Sequence, residues 1–433
     1  MPPSKTVAVH TLGCKLNYAE SSSISRMLEH DGYTRKDFSE VADIYIINTC
    51  SVTANADKEC RQIVRRIQRA APGSTIVVTG CYAQLRPEEI SSIPGVDLVL
   101  GAAEKFNISQ HLKLLTKGDP SKICSCDIDD VKDFNAAYSF NGRTRTFLKV
   151  QDGCNYNCAF CTIPLARGKS RSDRIENVLG KVDELGAAGV KEIVLTGINL
   201  GDFNSPFFSI SQNDLQENAE RKDTNFYSLL AALDASSPVM RYRISSIEPN
   251  LLSNEIIHLV ANSKKIMPHF HIPLQSGSNK ILGAMRRRYR KELYAEKVAL
   301  IKMLMPHCAI GADVIVGFPG ESEDDFNETF EFLSKLDVSY LHVFTYSERS
   351  DTIALQIKPV VPVPVRNARN RMLRNLSYEK MKNFTHQHGG QKRKVLFEQR
   401  NKYGMMEGYT DNYIKLEVPY QANLVNQVVE WQI

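Results

Sequence analysis

The sequence predicts an α/β fold in three parts: an N-terminal parallel sheet, a central and incomplete parallel (β/α)6 barrel, and a small C-terminal β-barrel. Three observations carry this reading. Up to Gly118, β-branched apolar runs alternate with helical stretches, and repeated β-α-β spacing demands parallel strands. From 141 to 365 six further strand-helix units follow over about 220 residues, fewer than the eight that a full barrel of about 250 residues contains. From 391 to 433 short alternating segments are separated by turn residues, as in a small β-barrel.

The elements follow in chain order. Strands are expected at Thr6–Thr11, Asp43–Asn48 and Ser74–Thr79, with helices over 19–30 and 54–71. In the second helix Cys60, Ile63, Val64 and Ile67 recur at i, i+3, i+4 and i+7 and form a buried stripe, with Arg61, Arg65, Arg66 and Arg69 opposite. The segment 119–140, DPSKICSCDIDDVKDFNAAYSF, is polar, acidic and aperiodic, so it reads as a linker. Barrel strands are expected at 146–151, 192–196, 241–247, 269–274, 310–317 and 340–345. The loop over 202–224 is long and polar, a type that is either functional or disordered. Pro359, Pro362 and Pro364 break any helix and mark an extended connector. A basic helix is expected over 366–385, then strands in KVLFEQ, YIKLEVP and QVVEWQ.

At 433 residues, with 42% apolar and 24% charged residues, the chain can bury a large core and is not disordered. No run of about 18 apolar residues occurs, which excludes a membrane helix. The start lacks the apolar stretch of a secretory signal, so a soluble cytoplasmic protein is expected. The net charge of +5 is a weak signal, but its distribution is not: between Arg366 and Lys402 stand eleven basic residues against Glu379 and Glu398. A polyanionic partner is expected at that end.

Ten cysteines in a reducing compartment are not a disulfide scaffold. Cys154, Cys158 and Cys161 form a C-x3-C-x2-C loop after the first barrel strand. Three soft thiolates this close can hold one metal centre, whereas a closed zinc site needs four ligands and no fourth Cys or His is near in the sequence. The residues alone leave an incomplete zinc knuckle or a buried thiol group open. A second triplet is dispersed: Cys14, Cys50 and Cys81 each follow the carboxyl end of an expected strand, and in a parallel sheet those ends share one edge. Small cysteines buried there by chance remain the alternative. Cys60 and Cys308 read as core, and Cys124 and Cys126 as linker thiols.

The loop DGCNYNCAFCTIPLARGKSRS, with Phe160 before the last cysteine, resembles the signature of the radical S-adenosylmethionine (SAM) superfamily. TLGCKLNYAES, NTCSVTANADKECRQ and VVTGCYAQ resemble the three cysteine motifs of its methylthiotransferases, and the similarity covers nearly the whole chain. It implies two 4Fe-4S clusters: one on Cys154, Cys158 and Cys161 whose free iron binds SAM to yield a 5′-deoxyadenosyl radical, and an auxiliary one on Cys14, Cys50 and Cys81 for sulfur delivery. It implies SAM contacts at Gly197 in TGIN, Ser245 and Glu248 in RISSIEP, and Gln275 and Ser276 in HIPLQSGS, with no catalytic residue beyond the cluster ligands. The C-terminal segment resembles a TRAM-type RNA-binding barrel. SERSDTIAL, over 347–355, departs from the family's Gly-Thr-Pro-Ala.

The N-terminal motifs look most like those of the branch that methylthiolates carbon 2 of N6-threonylcarbamoyladenosine beside the tRNA anticodon. The expected partners are tRNA, an electron donor such as flavodoxin or ferredoxin, and a sulfur source, with no membrane. Relatives acting on isopentenyladenosine or on a ribosomal protein are the alternatives. A non-catalytic iron-sulfur protein that binds RNA or senses redox state is the rival from another class. The Arg286–Arg290 cluster, RRRYR, is a further candidate for phosphate contact.

Overall fold

A computed structural model of the chain describes residues 5–51, 54–140, 144–204, 224–236, 238–400 and 403–433. Most of the expected 202–224 loop, residues 205–223, lies outside them, as do Lys402 and the side chain of Arg400. The chain divides into two compact units: residues 1–142, 147–171 and 347–352 form the first, and 143–146, 172–346 and 353–433 the second.

The first unit is built on a six-stranded parallel sheet. Its elements are β1 (Thr6–Thr11), α1 (Lys15–His30), β2 (Thr34–Lys36), β3 (Ile44–Thr49), α2 (Ala54–Ala70), β4 (Thr75–Gly80), α3 (Cys81–Leu85), α4 (Pro87–Ser91), β5 (Leu98–Leu100), α5 (Ile108–Lys113) and β6 (Lys122–Cys124). The strand order is β2-β1-β3-β4-β5-β6, in a register that sets Ile46 between Val9 and Val77. β3 is buried at every residue, as expected of a parallel strand covered on both faces. One core layer gathers Ile47, Cys60, Val64 and Val78, the other Val7, Ile24, Leu28, Ile46 and Val77. The α2 stripe is thus core, and burial pushes the Cys60 thiol up to about 12.

The stretch read as a linker is not structureless. β6 extends the sheet beyond Gly118, pairing Ile123 with Val99, and β7 (Ala137–Tyr138) pairs antiparallel with β8 (Thr146–Lys149). Polar, short edge strands carry no apolar period, so composition could not reveal them. Then come β9 (Gln151–Asp152), α6 (Ile163–Arg167) and β10 (Arg171–Ser172).

In the second unit α7 (Ile175–Ala187), β11 (Glu192–Thr196), α8 (Phe226–Ser236), β12 (Arg241–Ile244), α9 (Asn254–Asn262), β13 (His269–His271), α10 (Asn279–Ala284), α11 (Lys291–Leu304), β14 (Ala309–Val316), α12 (Glu323–Lys335) and β15 (Tyr340–Thr345) follow the expected alternation. β11 pairs parallel with β12, β13-β14-β15 form a parallel run, and a bridge from Tyr242 to Ile266 links the two. Cys308 is buried completely.

α13 (Val363–Gln387) starts earlier than its basic pattern suggested and contains Pro364. Proline is tolerated in the first turn, where its missing N–H has no intrahelical partner anyway. β16 (Lys392–Arg400), β17 (Met405–Thr410), β18 (Lys415–Pro419) and β19 (Val428–Gln432) make a four-stranded antiparallel sheet, ordered β18-β17-β16-β19, around Val395, Phe397 and Met406. Among the described residues no helix is long and apolar enough to cross a membrane.

Candidate functional site

Strand topology delivers the first triplet of thiols. β1, β3 and β4 are neighbours in the sheet, and Cys14, Cys50 and Cys81 follow their carboxyl ends. Gly13 shows how closely these ends approach: its φ is +103°, and a Cβ there would stand 2.6 Å from Cys50 Cβ and 2.9 Å from Cys50 Sγ. Asn17 Nδ2 donates to Leu12 O at 2.8 Å and to Thr49 O at 3.0 Å, lacing α1 to both strand ends. Cys14 is the N-cap of α1, where the helix dipole favours a thiolate. Cys14 is exposed; desolvation by its surroundings pushes its thiol up while the Arg167 guanidinium pulls against it.

The second triplet lies in the same unit. Cys154, Cys158 and Cys161 are half-buried in the loop between β9 and α6. Gly153, at φ +70°, lies so close to the loop's exit that a Cβ would meet Lys169 O at 2.0 Å. Beside it the Cys154 N–H donates to Gly168 O at 3.0 Å and closes the loop. Backbone N–H groups of Tyr156 and Ile163 point at Cys154 Sγ and Cys161 Sγ, each at 3.4 Å. Donors of this kind tune the potential of thiolate-bound clusters.

One contact joins the two triplets. Thr162, next to Cys161, donates from Oγ1 to the carbonyl of Ser51, next to Cys50, at 3.3 Å. Arg349 braces the same place, with its guanidinium 2.7 Å from Asp57 Oδ2 and 2.6 Å from Ser51 Oγ. The departure SERSDTIAL therefore supplies a side chain that ties the 347–352 segment to the Cys50 loop.

Beneath the thiols is a buried charge network that sequence reasoning missed. Glu20 Oε1 is 2.7 Å from Lys105 Nζ, 2.9 Å from Lys149 Nζ and 3.1 Å from Arg167. Asp152 joins Lys149 at 2.6 Å and Arg167 at 2.9 Å, and Arg167 also donates to Asn17 Oδ1 at 2.5 Å. Burial pushes the Glu20 carboxyl up, but Arg167, Lys105 and Lys149 outweigh it and hold it well below the usual range. Charged residues default to the surface, so only the polar start of the α1 stripe, Asn17-x-x-Glu20-Ser21, hinted at this network.

The donor set is soft sulfur with backbone N–H groups aimed at it, which fits an iron-sulfur cluster bound by three thiolates and open at one position. Among the described residues no three His, Cys, Asp or Glu side chains crowd together as for a single metal ion. Phe160 is half-buried beside Cys161.

The other expected site residues lie in the second unit, at carboxyl ends of its parallel strands. Gly197 follows β11. Ser245 follows β12, and its buried hydroxyl has no hydrogen-bond partner. Glu248 is paired with Arg287, and burial pushes its carboxyl up against that partner's pull. Gln275 has φ +68° and bridges to Val314. Ser276 is fully buried with its hydroxyl 3.2 Å from Thr329 Oγ1, so that side chain is turned toward α12. The RRRYR cluster is not one basic patch, because Arg287 is engaged by Glu248 and Tyr289 is buried; Arg286, Arg288 and Arg290 remain exposed.

Residues 6–101 match the uncharacterized protein family UPF0004, and residues 148–333 match the radical SAM superfamily. The chain is 40% identical to the threonylcarbamoyladenosine tRNA methylthiotransferase MtaB of Bacillus subtilis, over 99% of this chain and 93% of that one. It is 37% identical to MtaB of Aquifex aeolicus, over 95% and 96%. A tRNA-2-methylthio-N(6)-dimethylallyladenosine synthase of Clostridium botulinum is 32% identical over 84% and 80%. The radical SAM methyltransferase TsrM of Kitasatospora setae shares the fold with a TM-score of 0.55 at 13% identity, over 79% of this chain and 73% of that one.

Proposed function

This chain belongs to the threonylcarbamoyladenosine tRNA methylthiotransferases of the radical SAM superfamily, and from that premise we propose that it converts the C–H bond at carbon 2 of N6-threonylcarbamoyladenosine, beside the tRNA anticodon, into C–SCH3. The observation that carries the reading is the Thr162–Ser51 contact, which joins the loops bearing the two cysteine triplets. When bound, SAM on a 4Fe-4S cluster at Cys154, Cys158 and Cys161 would supply a radical able to break an unactivated C–H bond, a second cluster at Cys14, Cys50 and Cys81 would supply sulfur, and a second SAM would supply the methyl group.

The chain's own residues bind and orient. Gly197 lets backbone approach SAM, Ser245 offers its unsatisfied hydroxyl, and Arg287 fixes the Glu248 carboxylate for a polar contact. Gln275 lies at the same strand ends, Ser276 anchors that turn to Thr329, and Phe160 shields the loop. In this reading residues 1–118, with β6 from the following segment completing their sheet, hold the auxiliary site, the rest of 119–140 connects, 141–365 form the SAM barrel, and 366–433 act as a basic helix and TRAM-type barrel that meets tRNA phosphates in the cytoplasm. A flavodoxin or ferredoxin supplies electrons, and a sulfur source replenishes the auxiliary site.

Mass spectrometry of tRNA nucleosides from a strain lacking this protein tests the reading. Methylthiolated threonylcarbamoyladenosine should disappear and its unmodified precursor accumulate. Loss of the isopentenyl counterpart instead would assign the chain to the other branch. A paramagnetic resonance spectrum of the reduced, reconstituted protein that SAM leaves unchanged would remove the enzyme reading altogether.

A further inference from the structure

Five charged groups of the first unit, Glu20, Asp152, Lys105, Lys149 and Arg167, are one another's leading charged neighbours, and each side chain is at most 7% exposed. They comprise three cations against two carboxylates. Arg171, 3.9 Å from Asp152, adds a fourth cation at the rim. An uncompensated charge in a protein interior is expensive, so a surplus of cations calls for an anion nearby. The cavity lined by Cys81, Lys105, Lys149, Asp152 and Arg167 measures about 10 Å³, room for about one water, so a free phosphate does not fit.

Arg167 singles itself out. Both terminal nitrogens are engaged, by Glu20, Asp152 and Asn17, but its buried Nε–H has no hydrogen-bond partner. Cys81 lines the same cavity as its guanidinium, and Asn17, which accepts from it, also donates to Leu12 O and Thr49 O beside the Cys14 and Cys50 loops. Three residues thus fix an arginine in the cavity that Cys81 lines, and the buried groups there hold one more cation than carboxylates, with the exposed Asp133 at the cavity wall.

We propose that Arg167 is the positioning counter-cation of the N-terminal three-thiolate site, held in place by Glu20, Asp152 and Asn17, and that it stabilises the negative charge a bound cluster brings to Cys14, Cys50 and Cys81. The inference rests on the two-cluster reading above. Because Arg167 follows Cys161 by six residues while Asn17 and Glu20 follow Cys14 on α1, the same group also registers one cysteine loop against the other. A fixed cation favours the reduced, more negative state of a cluster and so raises its potential.

The test uses the full chain with Cys154, Cys158 and Cys161 all changed to Ala, reconstituted so that only the N-terminal site can bind iron. Redox titration should place the midpoint potential of R167Q below the parent and that of E20Q above it, with R167K close to the parent. Iron and sulfide content should fall most in R167Q and be retained in R167K. Shifts of the same sign in R167Q and E20Q, or equal iron loss in R167Q and R167K, would mean that Arg167 merely supports the fold, and the proposal would be wrong. Unchanged potential and iron in R167Q would overturn it as well. If the parent itself binds no iron, the two-cluster reading fails and this inference with it. Circular dichroism melts of each variant separate unfolding from loss of charge.

Discussion

Gly13 brings Cys14 and Cys50 together, and the reason is steric. Any side chain there must adopt a left-handed backbone and also displace Cys50. Gly13→Ala should therefore destabilise the fold by about 2–4 kcal/mol, combining the left-handed penalty with overpacking. It should also deplete N-terminal cluster iron selectively, which iron analysis in the protein lacking the other three ligands will check. At this scale the sequence was informative where residue types are distinctive: three cysteines within eight residues mark a candidate soft-metal loop. It was uninformative about Arg366 and Arg369, which composition assigns to a basic surface. Arg366 is buried against the carbonyls of Val361 and Tyr346, and Arg369 against Glu321. A guanidinium reads the same in sequence whether it meets phosphate or caps a carbonyl.

At the scale of elements, local signals and tertiary contacts divide the work. α12 begins with a capping box, in which Ser322 and Asp325 satisfy each other's backbone N–H groups. Ser322→Ala should lower stability by about 1 kcal/mol, read as a drop in the thermal midpoint with cluster content unchanged. The central strands were legible because β-branched apolar runs bounded by helices admit few other assignments. β6 and β7 were not, since polar residues gain a strand conformation there only by pairing with an existing edge. β17 was missed for a related reason: MMEGYT alternates, but the pattern is interrupted by Gly408, whose bareness lets Val395 and Phe397 pack over it.

For the whole molecule, stability leans on a second buried ion cluster. In the second unit Glu192 on β11 is 2.9 Å from Arg241 and 3.0 Å from Arg243 of β12, and both arginines donate to Thr410 O at the end of β17. Burial pushes the Glu192 carboxyl up, but Arg243 and Arg241 outweigh it and hold it at about 2, below its ordinary 4.5. Burial pulls Arg241 down, so part of that gain offsets the arginine's own desolvation. A carboxyl lowered on folding stabilises the native state fully above its unfolded value, and this contribution drains away as pH falls from about 4.5 toward 2. Thermal midpoints should decline over that window, and E192Q should flatten the decline while lowering neutral-pH stability by about 3–5 kcal/mol. The sequence by itself determined the alternation of strands and helices, the C-x3-C-x2-C loop and the family, because period and close thiol spacing are written locally, whereas the dispersed cysteines needed the strand order to share one sheet edge. Only the tertiary structure decided which charges are buried, that Ser51 meets Thr162, and that Arg167 and Cys81 line one cavity. Burial and proximity are properties of segments packed together, and no single segment encodes them.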